Sequence, residues 1–283
     1  MQGSPTKNPL FVFGVGRKDT VPTSAEKVAQ RLFETYYKTP PQDEVSIKWI
    51  QYESRVSGVA AAFGAHAKVA STVLGMIVEG LIPAYAKIMV LEEDAVLLEE
   101  YDKRTHRAIF VENAEEDEDE KTARSVIPEL DHVMFGSNPP SRLIQQVNSV
   151  DLPSLIRPYH VARFHHYAVN VASLACSVYS VARFCELYSK ILTTYLTSIT
   201  TGQNIRPVDD YLTVVDVAIA NRLTRNSVHN LRHIYIGRNL VVQQPGYSYV
   251  AGKEVDNTRD IMLPNIVPVI KQAREVYYGT KRV

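Results

Sequence analysis

The stretch RPYHVARFHHYAVNVASLACSVYSVARF, from Arg157 to Phe184, places His160, His165 and His166 within seven residues. Closely spaced imidazoles can hold a metal if two of them share a helix face, as at i and i+4 with a glutamate between. Here the separations of five and six residues correspond to roughly 140° and 240° around a helix, so neither His165 nor His166 shares a face with His160. No Cys-x-x-Cys pair or neighbouring acid completes a ligand set, and the nearest acid downstream is Glu186. The histidines read as packing near a helix start, and no metal site is expected. The word Val-Ala-Arg-Phe occurs twice, 20 residues apart. On one helix that is about 200° of rotation, so Arg163 and Arg183 would point opposite ways. Their flanks do not match, and no structural repeat is implied.

Other reactive patterns are incomplete. Gly14-Val15-Gly16 lacks the third glycine of a dinucleotide loop and runs into Arg17-Lys18. Gly58 to Gly64 followed by Lys68 does not have phosphate-loop spacing, and reads as close helix packing. No Gly-x-Ser-x-Gly elbow occurs. Cys176 lies among apolar residues, where a thiol is inert. Asp209-Asp210 has the composition of a carboxylate pair, but the first turn of a helix explains it more cheaply. Neither catalytic residues nor a cofactor are expected.

The best-patterned group is Arg222, Arg225, His229 and Arg232. Offsets of 0, 3, 7 and 10 place all four within about 80° on one helix face. Leu212, Val215, Ile219 and Leu223 supply the opposing core face. A basic stripe of this kind can contact phosphates without sequence preference. It can also dock on an acidic protein surface, such as Glu112–Glu120 of a second copy, or face solvent.

The elements that must carry these residues follow from periodicity and punctuation. Residues 1–22 read as an extended, proline-containing arm with one short strand at Phe11-Val12-Phe13. Residues 23–283 read as a single globular domain with an exposed acidic loop at 112–121. Thr23-Ser24-Ala25-Glu26 fits a capping box, predicting a helix to about Lys38 with Val28, Leu32 and Phe33 inward. Val45–Tyr52 alternates as a strand, and Gly58–Leu81 reads as a buried helix or helix pair. Ala84–Glu100 reads as an amphipathic helix. Pro158 opens a long central helix running to about Thr200, where Thr201-Gly202-Gln203-Asn204 ends it. Ala168, Ala172, Cys176 and Ser180 form its small-residue ridge. A helix is expected from Asp209 toward His229. Residues 233–236, 240–243 and 247–251 read as short strands, with Pro245-Gly246 as a turn, and a last helix covers 268–278. The expected fold class is α+β: mainly α with short β segments, a helical core around the long central helix, and small β-hairpin elements near the C-terminus.

The chain has 283 residues, 45% of them hydrophobic, with no formal net charge. The neutral total hides an acidic middle, in which residues 92–131 carry 5 basic and 15 acidic side chains, and a basic region over 132–283 with 16 against 9. Such asymmetry points to contacts between parts, copies or charged partners. Tyr outnumbers Phe, 16 to 8, and Tyr suits surfaces that are wet until a partner covers them. Cys176 and Cys185 would lie on opposite faces of one helix, so two free thiols in a reducing compartment are expected. The N-terminal residues lack the sustained apolar core of a signal peptide, and the longest apolar-leaning run, Tyr167–Ala182, is too short to span a membrane. A soluble, intracellular protein is the expectation.

In texture, SVARFCELYSKILTTYLTSITTGQNIRP and the proline-rich arm are similar to the clamp (cementing) proteins on the inner shell of turreted double-stranded RNA viruses. The resemblance implies a non-enzymatic viral structural protein that binds and stabilises a capsid shell, located in the virion and in host cytoplasm during assembly. Its partners would be a capsid shell protein and copies of itself. The alternative is an RNA-binding, nucleoprotein-type protein using the basic stripe. In that case, changing Arg222 and Arg225 to Ala lowers the slope of log affinity against log salt by about one to two in filter binding. An unchanged slope excludes the stripe as the RNA contact.

Overall fold

The computed structural model describes residues 9–17, 23–37, 47–52, 59–97, 128, 131–135, 175–202, 241–244, 246–248 and 253–255. Its centre is β1 (Leu10–Arg17), whose apolar residues serve both sides of a sheet. Leu10 and Val12 join one buried cluster, while Phe13 and Val15 join the other. This is the two-residue alternation of a strand covered on both faces.

From β1 the chain forms α1 (Thr23–Leu32), which continues into a π-helical turn over Phe33–Tyr37. Ala25, Val28, Ala29 and Leu32 recur at helical spacing and are all buried against Leu10, Val12, Met89 and Leu91. The chain returns as β2 (Ile47–Tyr52), parallel to β1. Next comes α2 (Val59–Val78), which buries Phe63, Ala67, Ala70 and Val73 with Phe13, Val15, Ile88 and Val90. Then β3 (Lys87–Glu92) runs parallel to β1 on its other edge. The crossover helices therefore cover opposite faces, with the strand order reversing at β1.

A tight turn leads to β4 (Ala95–Leu97). Further along are β5 (His132–Met134) and β6 (Cys176–Ser180). β6 is antiparallel to both β3 and β5, giving a five-stranded mixed sheet of order β2-β1-β3-β6-β5. α3 (Val181–Thr201) follows directly and packs beside α2. β7 (Val241–Gln243) pairs with β4, and β8 (Gly246–Ser248) with β9 (Lys253–Val255), both antiparallel.

The expectation of a mainly α fold built on a long central helix is overturned. The described core is a mixed sheet with helices on both faces. The segment expected as a helix from Pro158 becomes strand at Cys176–Ser180 before helix begins at Val181. Ser180 has extended backbone (φ −67°, ψ 157°), and its side chain accepts the Arg183 N–H at 3.3 Å, capping α3. Gly202, at φ 62°, ends the helix with its N–H on the Ile199 carbonyl. Cys176 and Ser180 therefore belong to a strand, not to a helical ridge, and Ala168 and Ala172 lie outside the described residues.

The second correction is Ala84–Glu100. The segment holds β3 and β4, not a helix. Ile88, Met89, Val90 and Leu91 are all buried because both faces of the sheet are covered. A strand of that kind shows a continuous apolar run, with no alternation to distinguish it from a buried helix. The strand placed in an N-terminal arm is likewise eight residues long and lies inside the sheet. The helix from Thr23, the strand near Val45–Tyr52, the buried helix over Gly58–Leu81 and two of the C-terminal strands are found close to their expected positions.

Gly14 is required by packing. It pairs in register with Trp49, and a Cβ on it would sit 2.2 Å from the indole ring. Gly14→Ala should destabilise the fold by about 1–3 kcal/mol through overpacking, measured by denaturant unfolding. Combining it with Trp49→Leu should recover part of the loss, and strictly additive effects would show that the contact is not the cause.

Candidate functional site

Strands β1, β2 and β3 end on the same edge of the sheet, at Arg17, Tyr52 and Glu92. The turn after β3 folds back over the end of β1, with the Glu93 N–H donating to the Val15 carbonyl at 3.0 Å. Glu93 therefore lies across Gly16, where a Cβ would approach its carboxylate to 2.8 Å. The Arg17 backbone N–H donates to one Glu93 oxygen at 2.7 Å and its Nε–H to the other at 3.0 Å. Both oxygens are held by a single residue.

The pleat turns Glu92 toward the α2–α3 face. Its Oε1 lies 3.3 Å from His66 Nε2, on α2. Its Oε2 accepts from Gln243 Nε2 of β7 at 3.0 Å. His66 is 2% exposed, and its Nδ1 lies 3.4 Å from the Tyr188 hydroxyl on α3. Three elements, β3, α2 and β7, thus meet at one carboxylate, and α3 reaches it through His66.

Asp94 closes the group. Its backbone carbonyl accepts the Gln244 N–H at 2.7 Å, locking the turn to β7. Its Oδ1 is buried with no hydrogen-bond partner among the described residues. Burial first, and then repulsion from Glu92 and Glu93, pushes its carboxyl up to about 8; Arg17 offsets this in part. Two glutamates clamped by donors thus stand beside a third, buried acid whose Oδ1 has no hydrogen-bond partner among the described residues.

The structure places the sequence-derived candidates differently. Arg222, Arg225, His229 and Arg232 lie outside the described residues, as do His160, His165, His166, Asp209, Asp210 and the acidic loop. Gly14-Val15-Gly16 is strand rather than loop. Gly64 faces the Tyr195 ring, as close helix packing requires, and Lys68 donates to the Gln51 carbonyl at 2.6 Å. Cys176 and Cys185 are free thiols, both pushed above the ordinary thiol value by burial. They belong to a strand and a helix, not to one helix.

Arg17, His66, Glu92, Glu93, Asp94 and Gln243 were not singled out by the sequence pattern. The available signal was an apolar run closing on three consecutive acids, Ile88 to Asp94. Reading Ala84–Glu100 as an amphipathic helix hid the strand end on which these acids sit. No model of a known protein family matches the chain, and no characterised protein matches it in sequence.

The raised Asp94 value fixes the sign of a pH effect. The native state retains this proton up to about pH 8, whereas an unfolded aspartic acid loses it near pH 4. Its contribution to stability is complete below about pH 4 and is lost as pH rises through about 8. Asp94→Asn should therefore raise the melting temperature at pH 8–9 and flatten its pH dependence between pH 4 and 8. An unchanged pH profile would show that Asp94 is solvated and ionised.

Proposed function

We propose that the carboxyl edge of the parallel strands binds a nucleotide-type ligand carrying a diphosphate, through a divalent cation shared with Asp94 and Glu92. The observation that carries this reading is Asp94, whose buried Oδ1 has no hydrogen-bond partner among the described residues, beside two clamped glutamates. In open α/β sheets, ligands bind outside the carboxyl ends of the strands, where the strand order reverses. That reversal is at β1, beside the acidic turn. Fold-level analogy supplies the location, while the acids supply the chemistry.

Among the described residues, no three His, Cys, Asp or Glu side chains are grouped to hold a metal unaided. A magnesium-type cation needs no such cage. It commonly takes one or two carboxylates and completes its shell with substrate phosphates and water. α1 and α2 both begin at this edge, because each returns antiparallel to the strand before it, and helix amino ends favour phosphate. A divalent cation held there by Asp94 and Glu92 would supply charge neutralisation at the phosphate oxygens of the ligand.

A second reading keeps the non-enzymatic, shell-binding protein of the capsid-clamp type. It is favoured by large apolar side chains left on the surface: Val78 at the end of α2, 87% exposed, and Leu81 and Tyr85 in the α2–β3 connection. Exposed apolar groups that gather in one place mark protein contacts.

A thermal-shift titration separates the two. MnCl2 together with a mixture of ADP, GDP, CDP and UDP should raise the melting temperature more than either component alone. At 100 times the dissociation constant the gain is about 2.7 kcal/mol. Asp94→Asn should abolish the joint effect. No shift with wild-type protein in millimolar Mn2+ and nucleotide would overturn the diphosphate reading.

A further inference from the structure

The end of α3, Ile191–Thr201, holds no charged side chain. Four of its hydroxyls donate to carbonyls of their own helix. Thr193 donates to Ser189 at 2.8 Å, Ser198 to Tyr195 at 2.9 Å, Thr200 to Leu196 at 3.0 Å and Thr201 to Thr197 at 2.8 Å. Hydroxyls engaged in this way turn less of their polarity outward. Leu192, Leu196 and Ile199, at offsets 0, 4 and 7, fall within about 60° on one face of this stretch. Phe184, Leu187, Tyr188 and Ile191 bury the other face against α2 and the sheet. Leu196 and Ile199 are nevertheless 51% and 58% exposed. The helix thus ends in an apolar stripe that no described residue covers.

The size of the stripe narrows the choice of occupant. Contact over so few turns falls well short of the roughly 800 Å2 per partner that a stable complex of separate molecules covers. A segment tethered nearby needs far less area, because its effective concentration is on the order of millimolar. The chain itself supplies one. α3 ends at Gly202, and the next described residue is Val241. Between them the sequence carries Leu212, Val215, Ile219 and Leu223 at helical spacing. Residues 203–208 leave a connection of six residues, within the roughly two to eight usual between neighbouring helices. The spacings also match. Seven residues separate Leu192 from Ile199 and Leu212 from Ile219, roughly 10 Å along a helix in each case.

We propose that the apolar stripe of α3 is the docking surface for residues 209–223 of the same chain, laid antiparallel so that Leu212 meets Ile199 and Ile219 meets Leu192. Arg225 lies roughly 125° round the same helix from the centre of its apolar residues, so docking leaves it on the outer surface. The contact is independent of the acidic turn after β3 and of any ligand there.

The test uses the full chain with Cys185→Ser, so that the buried Cys176 is the one native thiol left. Leu196→Cys combined with Val215→Cys should close an intrachain disulfide under mild oxidation, identified by mass spectrometry of the linked peptides. Thr197→Cys, about 100° round α3 from Leu196, should close with Val215→Cys roughly tenfold more slowly. Equal rates for the two pairs would show a segment without a docking face and overturn the proposal. Disulfide-linked dimers in place of the intrachain product would assign the stripe to a second copy and overturn it as well. Independently, Leu196→Asp with Ile199→Asp should speed amide hydrogen exchange in peptides covering 209–223 by about tenfold or more, while peptides from β1 and β3 keep their protection. Unchanged exchange over 209–223 would overturn the contact. Both aspartates replace exposed side chains, and far-UV circular dichroism checks that the variant is folded; if it is not, the disulfide pair decides.

Discussion

The rest of the described structure depends on β1 being paired on both edges and covered on both faces. Its backbone groups are satisfied by β2 and β3 in parallel. Two parallel partners require two crossovers, and right-handed crossovers in opposite directions place their helices on opposite faces. The buried clusters on the two sides of the sheet follow from that single requirement. So do the small residues in the strand. Gly14 leaves space for the indole of Trp49, and Gly16 for the Glu93 side chain.

The same constraint concentrates charge. Once β3 lies beside β1, its last residue and the two that follow must turn at the sheet edge. Three consecutive acids are thereby brought together at a half-buried turn. Glu93 is neutralised by Arg17, at the end of the neighbouring strand. Glu92 is met by His66 and Gln243. Burial, and then its two acidic neighbours, push the Asp94 carboxyl up to about 8. Such an imbalance is costly in a purely structural turn and useful in one that meets a cation.

Legibility in the sequence varied with the kind of burial. α1 was readable because Val28 and Leu32 recur at helical spacing behind a capping pattern. β2 was readable because Val45–Trp49 alternates apolar and polar residues, a pattern that an edge strand can keep. β3 and β6 were not, since strands buried on both faces lose their alternation and resemble pieces of helix. Cys176–Ser180 runs straight into a helix with one capping serine between, so the two were merged into one element. The site was lost with β3. Its acids take on meaning only when the strand end, rather than a helix face, is their address.

By itself, the sequence determined the composition of the edge. Three acids in a row follow a four-residue apolar run, an arginine follows two glycines, and a histidine sits in an alanine-rich helix. It also determined the local punctuation, including the serine cap and the terminating glycine of α3. Only the tertiary structure decided that Arg17, His66, Glu92 and Gln243 would meet. They are separated by up to 226 positions in the chain, and no local propensity acts over that distance. What brings them together is strand pairing and two-sided burial, which are properties of the assembled sheet.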